Sequence, residues 1–139
     1  MKTIGKTILG LVMATLLATA YPPPSRADDP VKHEIRYVIT AANPIYADIY
    51  YLDQEPAIFA DYSHNPYQYT PHVNADIAPG HPWVSPVVML SKPDVYAMVV
   101  VSTGTEPGTP QFHCALIVDG KVVVSKDGAK GVLCSIRHW

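Results

Sequence analysis

From residue 31 onward, apolar and polar side chains alternate with a period of two residues, which is the pattern of half-buried β-strands. One face of the run VKHEIRYVIT (31–40) carries Ile35, Tyr37 and Ile39, and the opposite face carries Lys32, Glu34, Arg36 and Thr40. The run IYADIYYL (45–52) repeats this alternation. Asn43-Pro44 lies between the two runs and predicts a turn.

Five further valine-rich runs bounded by Gly, Pro or Asp predict additional strands. They span residues 84–90, 95–102, 112–118, 121–126 and 132–137. No amphipathic helix is predicted after residue 27, and the frequent prolines there argue against one. About seven short strands with regularly spaced turns predict an all-β fold, an antiparallel β-sandwich.

Asp119-Gly120 predicts a hairpin between the runs 112–118 and 121–126, because both central residues of a type I′ turn need positive φ. A strict two-residue turn pairs Cys114 with Ser125 and leaves both faces of the hairpin apolar. Two interpretations remain open. Either the hairpin is central and covered on both sides, or the loop has three residues and a bulge.

The first 27 residues have the features of a signal peptide. Lys2 and Lys6 precede an uncharged apolar run from Ile8 to Ala20, which is too short to span a bilayer. Cleavage after Ala20 or after Ala27 fits the small-residue rule, and we favour the second, with an uncleaved anchor as the alternative. The expected location is secreted, periplasmic or in the cell envelope, with no stable membrane span after cleavage.

Residues 28–139 then form one domain of ordinary size. They hold 7 basic and 12 acidic residues, a formal charge of −5. An acidic domain with scattered basic residues disfavours binding to nucleic acid or to anionic lipid surfaces.

Cys114 and Cys134 are the only cysteines. Outside the cytoplasm they are expected to be oxidised, and the bond would close a loop worth about 3 kcal/mol in the chain-entropy model. It would join the strand at 112–118 to the strand at 132–137. A redox or metal-binding pair is the alternative, but CxxC spacing is absent.

Residues 53–82 contain five prolines and lack a regular pattern apart from a possible short strand at 57–62, so they predict a long irregular loop. Their aromatic content argues against plain disorder. Loops on a rigid scaffold often carry binding sites. The candidate binding residues are Tyr62, His64, Tyr67, Tyr69 and His72 in this segment, and Trp83 directly after it.

Several short pieces of the chain resemble the extracytoplasmic domain of the mycobacterial membrane protein small (MmpS) family. These pieces are YADIYYLD (46–53), HPWVSPV (81–87), FHCALIVDGKVV (112–123) and GVLCSI (131–136). The resemblance implies an immunoglobulin-like sandwich with a disulfide bond, and a role as an accessory protein to lipid or siderophore exporters. Members of that family keep a transmembrane helix, so a cleaved chain is expected to be a secreted relative.

These features favour a secreted or cell-envelope binding or accessory protein without enzymatic activity or cofactor. Its partner would be an envelope transporter, a lipid or another envelope protein. One alternative is a small metal-binding protein that uses His64, His72 and His81, although the tight spacings of zinc motifs are missing. Another is a secreted hydrolase, for which no GxSxG motif or catalytic residue is found.

Overall fold

The computed structural model describes residues 30–138, which form two antiparallel β-sheets packed face to face. The strands are β1 His33–Ala41, β2 Ile45–Tyr51, β3 His72–Ile77, β4 Trp83–Val84, β5 Val88–Leu90, β6 Met98–Ser102, β7 Phe112–Val118, β8 Lys121–Gly128 and β9 Gly131–Ser135. Three short helices accompany them: α1 Phe59–His64, α2 Pro66–Tyr69 and α3 Pro93–Tyr96.

Sheet A has the strand order β4-β1-β7-β8, and β5 pairs with β1 on the same side as β4. Sheet B has the order β3-β2-β6-β9. The predicted strand 84–90 is therefore two strands, because Pro86 interrupts the ladder between them. Ser85 keeps this break attached to β1. Its N–H donates to the Tyr37 carbonyl at 2.9 Å, and its Oγ accepts from the Tyr37 N–H at 3.0 Å.

The period-two alternation places the predicted apolar faces in the core. Ile35, Tyr37 and Ile39 of β1 are fully buried against Ala47 and Ile49 of β2 in one cluster. Burial of apolar side chains contributes about 25 cal/mol for each Å² removed from water, so this shared interior is the main source of stability. The one polar atom of Tyr37 is satisfied, because its hydroxyl group donates to the Leu52 carbonyl at 2.8 Å.

The disulfide bond joins the two sheets. Cys114 lies on β7 of sheet A and Cys134 on β9 of sheet B, with their Cα atoms 6.1 Å apart and both side chains fully buried. An inter-sheet bridge in a two-sheet sandwich is a feature of immunoglobulin domains. The prediction of an antiparallel sandwich with one disulfide bond is confirmed, with nine strands in place of about seven.

The hairpin between β7 and β8 combines features of both interpretations left open by the sequence. Asp119 and Gly120 have φ of 50° and 83°, as a two-residue type I′ turn requires. Val118 pairs with Lys121, and a bulge at Val123 then shifts the register between Leu116 and Ile117. The turn is therefore tight and the bulge lies within β8, which is an edge strand and not a covered central one.

The segment 53–82 is not the long irregular loop that the sequence predicts. It contains α1, α2 and β3, and β3 pairs with β2 along its whole length. The sequence predicts no amphipathic helix after residue 27, and the three helices among residues 30–138 are only four to six residues long. Pro66 and Pro93 each stand at a helix start, where their missing N–H costs nothing. These two prolines therefore mark the first residues of helices and do not prevent helix formation.

The predicted signal peptide, residues 1–27, lies outside the described residues. Between residues 30 and 138, no helix is both long enough and apolar enough to cross a membrane.

Candidate functional site

The structure brings two of the predicted binding residues together on the outer surface of sheet B. Tyr67 and His72 both contact Tyr50, whose side chain points away from the core. Asp48 and Asn74 lie beside them on the same surface. We refer to these five residues, Asp48, Tyr50, Tyr67, His72 and Asn74, as the tyrosine–histidine face.

The pairing register of β2 and β3 builds this face. Tyr50 stands opposite His72, and Asp48 stands opposite Asn74. Directly opposed residues on one face of an antiparallel pair have their side chains in contact. The Tyr50 and His72 rings are accordingly stacked, with centroids 4.6 Å apart and an interplanar angle of 23°.

The Asp48 carboxylate is the polar centre of the face. Its Oδ1 accepts hydrogen bonds from Nε2 of His72 at 3.2 Å and from Nδ2 of Asn74. A carboxylate requires a donor, so the His72 Nε2 carries a proton and its Nδ1 points away from Asp48. Gly104 covers the other oxygen so closely that a Cβ at this position would lie 2.0 Å from Oδ2. The acceptor group is thus held in one orientation by neighbours from β3 and from the loop after β6.

Tyr67 gives the face an exposed aromatic ring. It lies on α2, is 72% exposed, and its ring centroid is 5.9 Å from that of Tyr50. The helix that carries it is anchored at its end. Tyr69 is buried and its carbonyl accepts from the Asp53 N–H at 3.1 Å, while Thr70 Oγ1 donates to the Pro66 carbonyl at 2.8 Å. An exposed tyrosine on an anchored turn is a typical contact residue.

The other predicted binding residues lie elsewhere. Tyr62 packs against Phe59 at 5.8 Å and contacts the Met98 sulfur, and burial raises the pKa of its hydroxyl group. The His64 ring bonds to the Ala60 carbonyl within its own helix. Tyr69 is part of the core, and Trp83 packs on Tyr51 with centroids 5.3 Å apart. These four residues therefore lie outside the tyrosine–histidine face.

The three loop histidines do not converge. His64 bonds within α1, His72 bonds to Asp48, and the His81 N–H closes a turn with the Ala78 carbonyl. In the part of the chain that the structure describes, no three His, Cys, Asp or Glu side chains are close enough to hold a metal ion.

The chemistry that the face offers is recognition by stacking and hydrogen bonding. It combines ring surfaces, a fixed carboxylate and an amide group, which bind neutral polar ligands. Within residues 30–138, the one side-chain hydrogen bond of His72 is to Asp48, so no serine or threonine is paired with it as a nucleophile would be.

The structure adds Asp48, Tyr50 and Asn74 to the two predicted residues. The alternation in β2 already places Asp48 and Tyr50 on the polar side of that strand. Their connection to His72 and Asn74 depends on which residues of β2 and β3 face each other, and no local pattern specifies that register.

The sequence profile of one protein family, described as the Rv2576c beta-sandwich domain, matches residues 37–134 of this chain. The chain belongs to the Rv2576c beta-sandwich domain family. The match runs from β1 to Cys134 and therefore includes the disulfide bond and the whole tyrosine–histidine face.

Similar proteins include "Uncharacterized protein Rv2576c" of Mycobacterium tuberculosis and "Uncharacterized protein Mb2606c" of Mycobacterium bovis. Each is 37% identical over 123 residues, which cover 88% of this chain and 78% of the relative.

The predicted membership of the MmpS family is wrong, because the matching profile and relatives are those of the Rv2576c beta-sandwich domain family. The pieces that carried the resemblance are short strand and hairpin patterns with a pair of cysteines. Such patterns follow from a disulfide-bonded sandwich and do not distinguish one family of sandwiches from another.

Proposed function

We propose that the chain is an exported, non-enzymatic binding protein of the cell envelope, and that its tyrosine–histidine face binds a saccharide. The observation that carries this proposal is the exposed Tyr67 ring beside the stacked pair of Tyr50 and His72, next to the Asp48 carboxylate. A role as an accessory protein to exporters is implied only by the MmpS resemblance, which the family match contradicts.

A saccharide can contact both the aromatic and the polar side chains of the face. The C–H groups on one side of a pyranose ring are apolar and pack against an aromatic surface such as that of Tyr67. Its hydroxyl groups donate to a carboxylate and exchange hydrogen bonds with an amide, and Asp48 and Asn74 supply these groups. Because neighbouring residues already hold Asp48 in place, little side-chain entropy is lost on binding.

Two features support the exported location, and a third, the charge, bears on the class of ligand. Residues 1–27 have the pattern of a signal peptide. A buried disulfide bond is typical of proteins that fold in an oxidising compartment. The formal charge of −5 after residue 27 disfavours nucleic acid as a partner and leaves an uncharged or weakly charged envelope ligand as the best match.

The test uses the exported protein with its disulfide bond intact. The ligands are soluble oligosaccharides released from the cell envelope of the organism that produces the protein. Replacement of Tyr67 by Ala removes the stacking surface from an exposed helix without disturbing the core. We expect Tyr67→Ala to weaken binding about tenfold, which corresponds to loss of one stacking contact. Isothermal titration calorimetry measures this change.

The matched control is Val122→Ala, which trims an exposed apolar side chain of sheet A, away from the face. Its affinity is expected to equal that of the wild type. Equal affinity of Tyr67→Ala and the wild type would show that any saccharide binds elsewhere and would refute the assignment of this face.

A further inference from the structure

A cleft at one end of the sandwich has no role in the proposed saccharide binding. It has a volume of about 520 Å³ and is lined by the start of β1, the segment after β2, and the connection from β5 to α3. We call it the Lys32–Lys92 cleft, and its principal residues are Lys32, Asp53, Glu55, Met89, Lys92 and Tyr96. A volume of this size accommodates a small organic ligand.

Glu55 fixes the shape of this cleft. Its Oε2 accepts from the N–H and the Oγ of Ser91 at 2.8 and 2.7 Å, and its Oε1 accepts from the Lys92 N–H at 2.9 Å. Three donors therefore hold the segment after β2 against the start of α3. Both oxygens of this carboxylate already have donors, so its negative charge is compensated within the protein.

Tyr96 lines the cleft, although most of its side chain is buried. The residue is 6% exposed, and its ring stacks on Phe59 with centroids 6.5 Å apart. Among residues 30–138 no side-chain hydrogen bond of this hydroxyl group is found, and no buried side-chain oxygen or nitrogen lacks a partner, so the hydroxyl oxygen is open to solvent. Burial raises the pKa of Tyr96, so the group keeps its proton and is available as a donor. A hydroxyl group that is open to solvent in the cleft can donate a hydrogen bond to an acceptor that enters it.

Two lysine side chains line the same cleft as the Tyr96 hydroxyl group. Lys32 and Lys92 line the cleft, and neither forms an ion pair with any described residue. Asp53 is the remaining acidic residue of the lining, and burial raises the pKa of its carboxyl group. Because the Glu55 carboxylate is already bonded to three donors, two lysines and one aspartate remain available to a ligand, and cations exceed anions among them.

Part of the lining is apolar. Pro30, Pro56 and Met89 contribute to the wall, and Met89 is exposed although it is a large hydrophobic residue. An adaptable methionine side chain beside rigid prolines suits an apolar group of variable shape. The cleft thus combines cationic and hydroxyl donors with a hydrophobic wall.

We propose that the Lys32–Lys92 cleft binds a small amphiphilic carboxylate, with the carboxylate between Lys32, Lys92 and the Tyr96 hydroxyl group and the apolar body against Met89 and the prolines. This site is separate from the tyrosine–histidine face, since its residues lie on other elements. Its test is therefore independent of saccharide binding.

Octanoate, acetate and octylammonium, titrated into the disulfide-bonded exported protein, test the proposal. Octanoate has both a carboxylate and an apolar chain. Acetate has the carboxylate without the long chain, and octylammonium has the chain with a positive ammonium group. We expect octanoate to bind and acetate to bind at least about tenfold more weakly, because it lacks the chain that contacts the wall. Octylammonium is expected not to bind. Equal binding of octylammonium would overturn the proposal, since the lysines would then have no role.

Three variants complete the test. Lys32→Gln/Lys92→Gln removes both cations from exposed positions, and Tyr96→Phe keeps the ring that stacks on Phe59 while it removes the hydroxyl group. Each is expected to weaken octanoate binding about tenfold, the loss that follows removal of a hydrogen bond to a charged group. Lys121→Gln/Lys130→Gln removes two cations from exposed positions outside the cleft and is expected to leave the affinity unchanged. Unchanged affinity of the Lys32/Lys92 variant would contradict the proposal.

Discussion

At the scale of single residues, Asp48 organises the candidate site. Its carboxylate fixes the orientation of His72 and Asn74, and His72 in turn stacks on Tyr50. Gly104 has a φ of 59° and approaches Asp48 so closely that any side chain there would displace the carboxylate. One acidic residue and one glycine thus determine where the aromatic rings lie.

A second aspartate, Asp119, provides a prediction on pH dependence. Its pKa is lowered chiefly by a hydrogen bond with His33, at 2.6 Å, and further by the Glu34 N–H at 2.9 Å. A lowered native pKa stabilises the folded state above the ordinary pKa of about 3.9, and this contribution is lost as the pH falls through the native value. We expect Asp119→Asn to reduce the free energy of unfolding at pH 6 and to have little effect at pH 2.

Asn keeps the turn, because Asn-Gly is as suitable as Asp-Gly for a type I′ hairpin, so the variant isolates the charge. Urea unfolding at both pH values measures the difference. Asp94→Asn is the control, since Asp94 is an exposed acidic residue for which no hydrogen bond of the side chain is found among the described residues. An effect of Asp119→Asn that is equal at pH 6 and pH 2 would show that the carboxylate is not stabilised by these donors.

Local sequence specifies only part of the candidate site. Tyr67 and His72 can be nominated because aromatic residues concentrate in a segment with many prolines. Asn74 cannot, because its role depends on pairing with Asp48, and the register of two strands separated by twenty residues is decided by tertiary packing. The same aromatic character predicts Tyr62 and Trp83 as binding residues, but their rings pack against Phe59 and Tyr51.

At the scale of elements, β8 is an edge strand that resists pairing with other chains. It is exposed along most of its length and contains three consecutive valines, of which Val122 is 59% exposed. Two features protect this edge. A bulge interrupts its register at Val123, and Lys126 stands opposite Cys114 on the side that faces the core. Bulges and inward-pointing charges are common protections against edge-to-edge association.

Replacement of Lys126 by Val is therefore expected to promote self-association, because it removes the inward-pointing charge and lengthens the apolar run of the edge. Sedimentation velocity at several concentrations should show a dimer or larger species for Lys126→Val. Lys32→Val makes the same change outside the edge strand and should remain like the wild type. If Lys126→Val also sediments like the wild type, the bulge alone protects this edge.

The long strands are predicted well and the short elements poorly. The run 112–118 coincides with β7, and 45–52 extends one residue beyond β2, because period-two alternation in a half-buried strand is a local signal. β3 also alternates, with Val73, Ala75 and Ile77 toward the core side. The prolines around it obscured this pattern, and a two-residue strand such as β4 has no period to detect.

At the scale of the whole molecule, the disulfide bond connects the two sheets through the core. It closes a loop of 20 residues between β7 and β9. Loss of the bond increases the entropy of the unfolded chain, and for a loop of this length the cost is about 3 kcal/mol. We expect Cys114→Ala/Cys134→Ala to lower the melting temperature by roughly 10 °C or more.

Differential scanning calorimetry measures this change, and the reduced wild-type protein is the control because it keeps both sulfur atoms. Reduction and double substitution should lower the melting temperature to a similar extent. A reduced protein that melts at the temperature of the oxidised one would show that the bond does not stabilise the sandwich.

The central claim, that the tyrosine–histidine face binds a saccharide, is tested most directly by two-dimensional ¹H–¹⁵N NMR during titration with envelope oligosaccharides. The account predicts concentration-dependent shifts of amide signals from β2, β3 and α2, centred on Tyr50, Tyr67 and His72, with the signals of sheet A unchanged. Shifts confined to sheet A, or none at saturating concentrations, would contradict it.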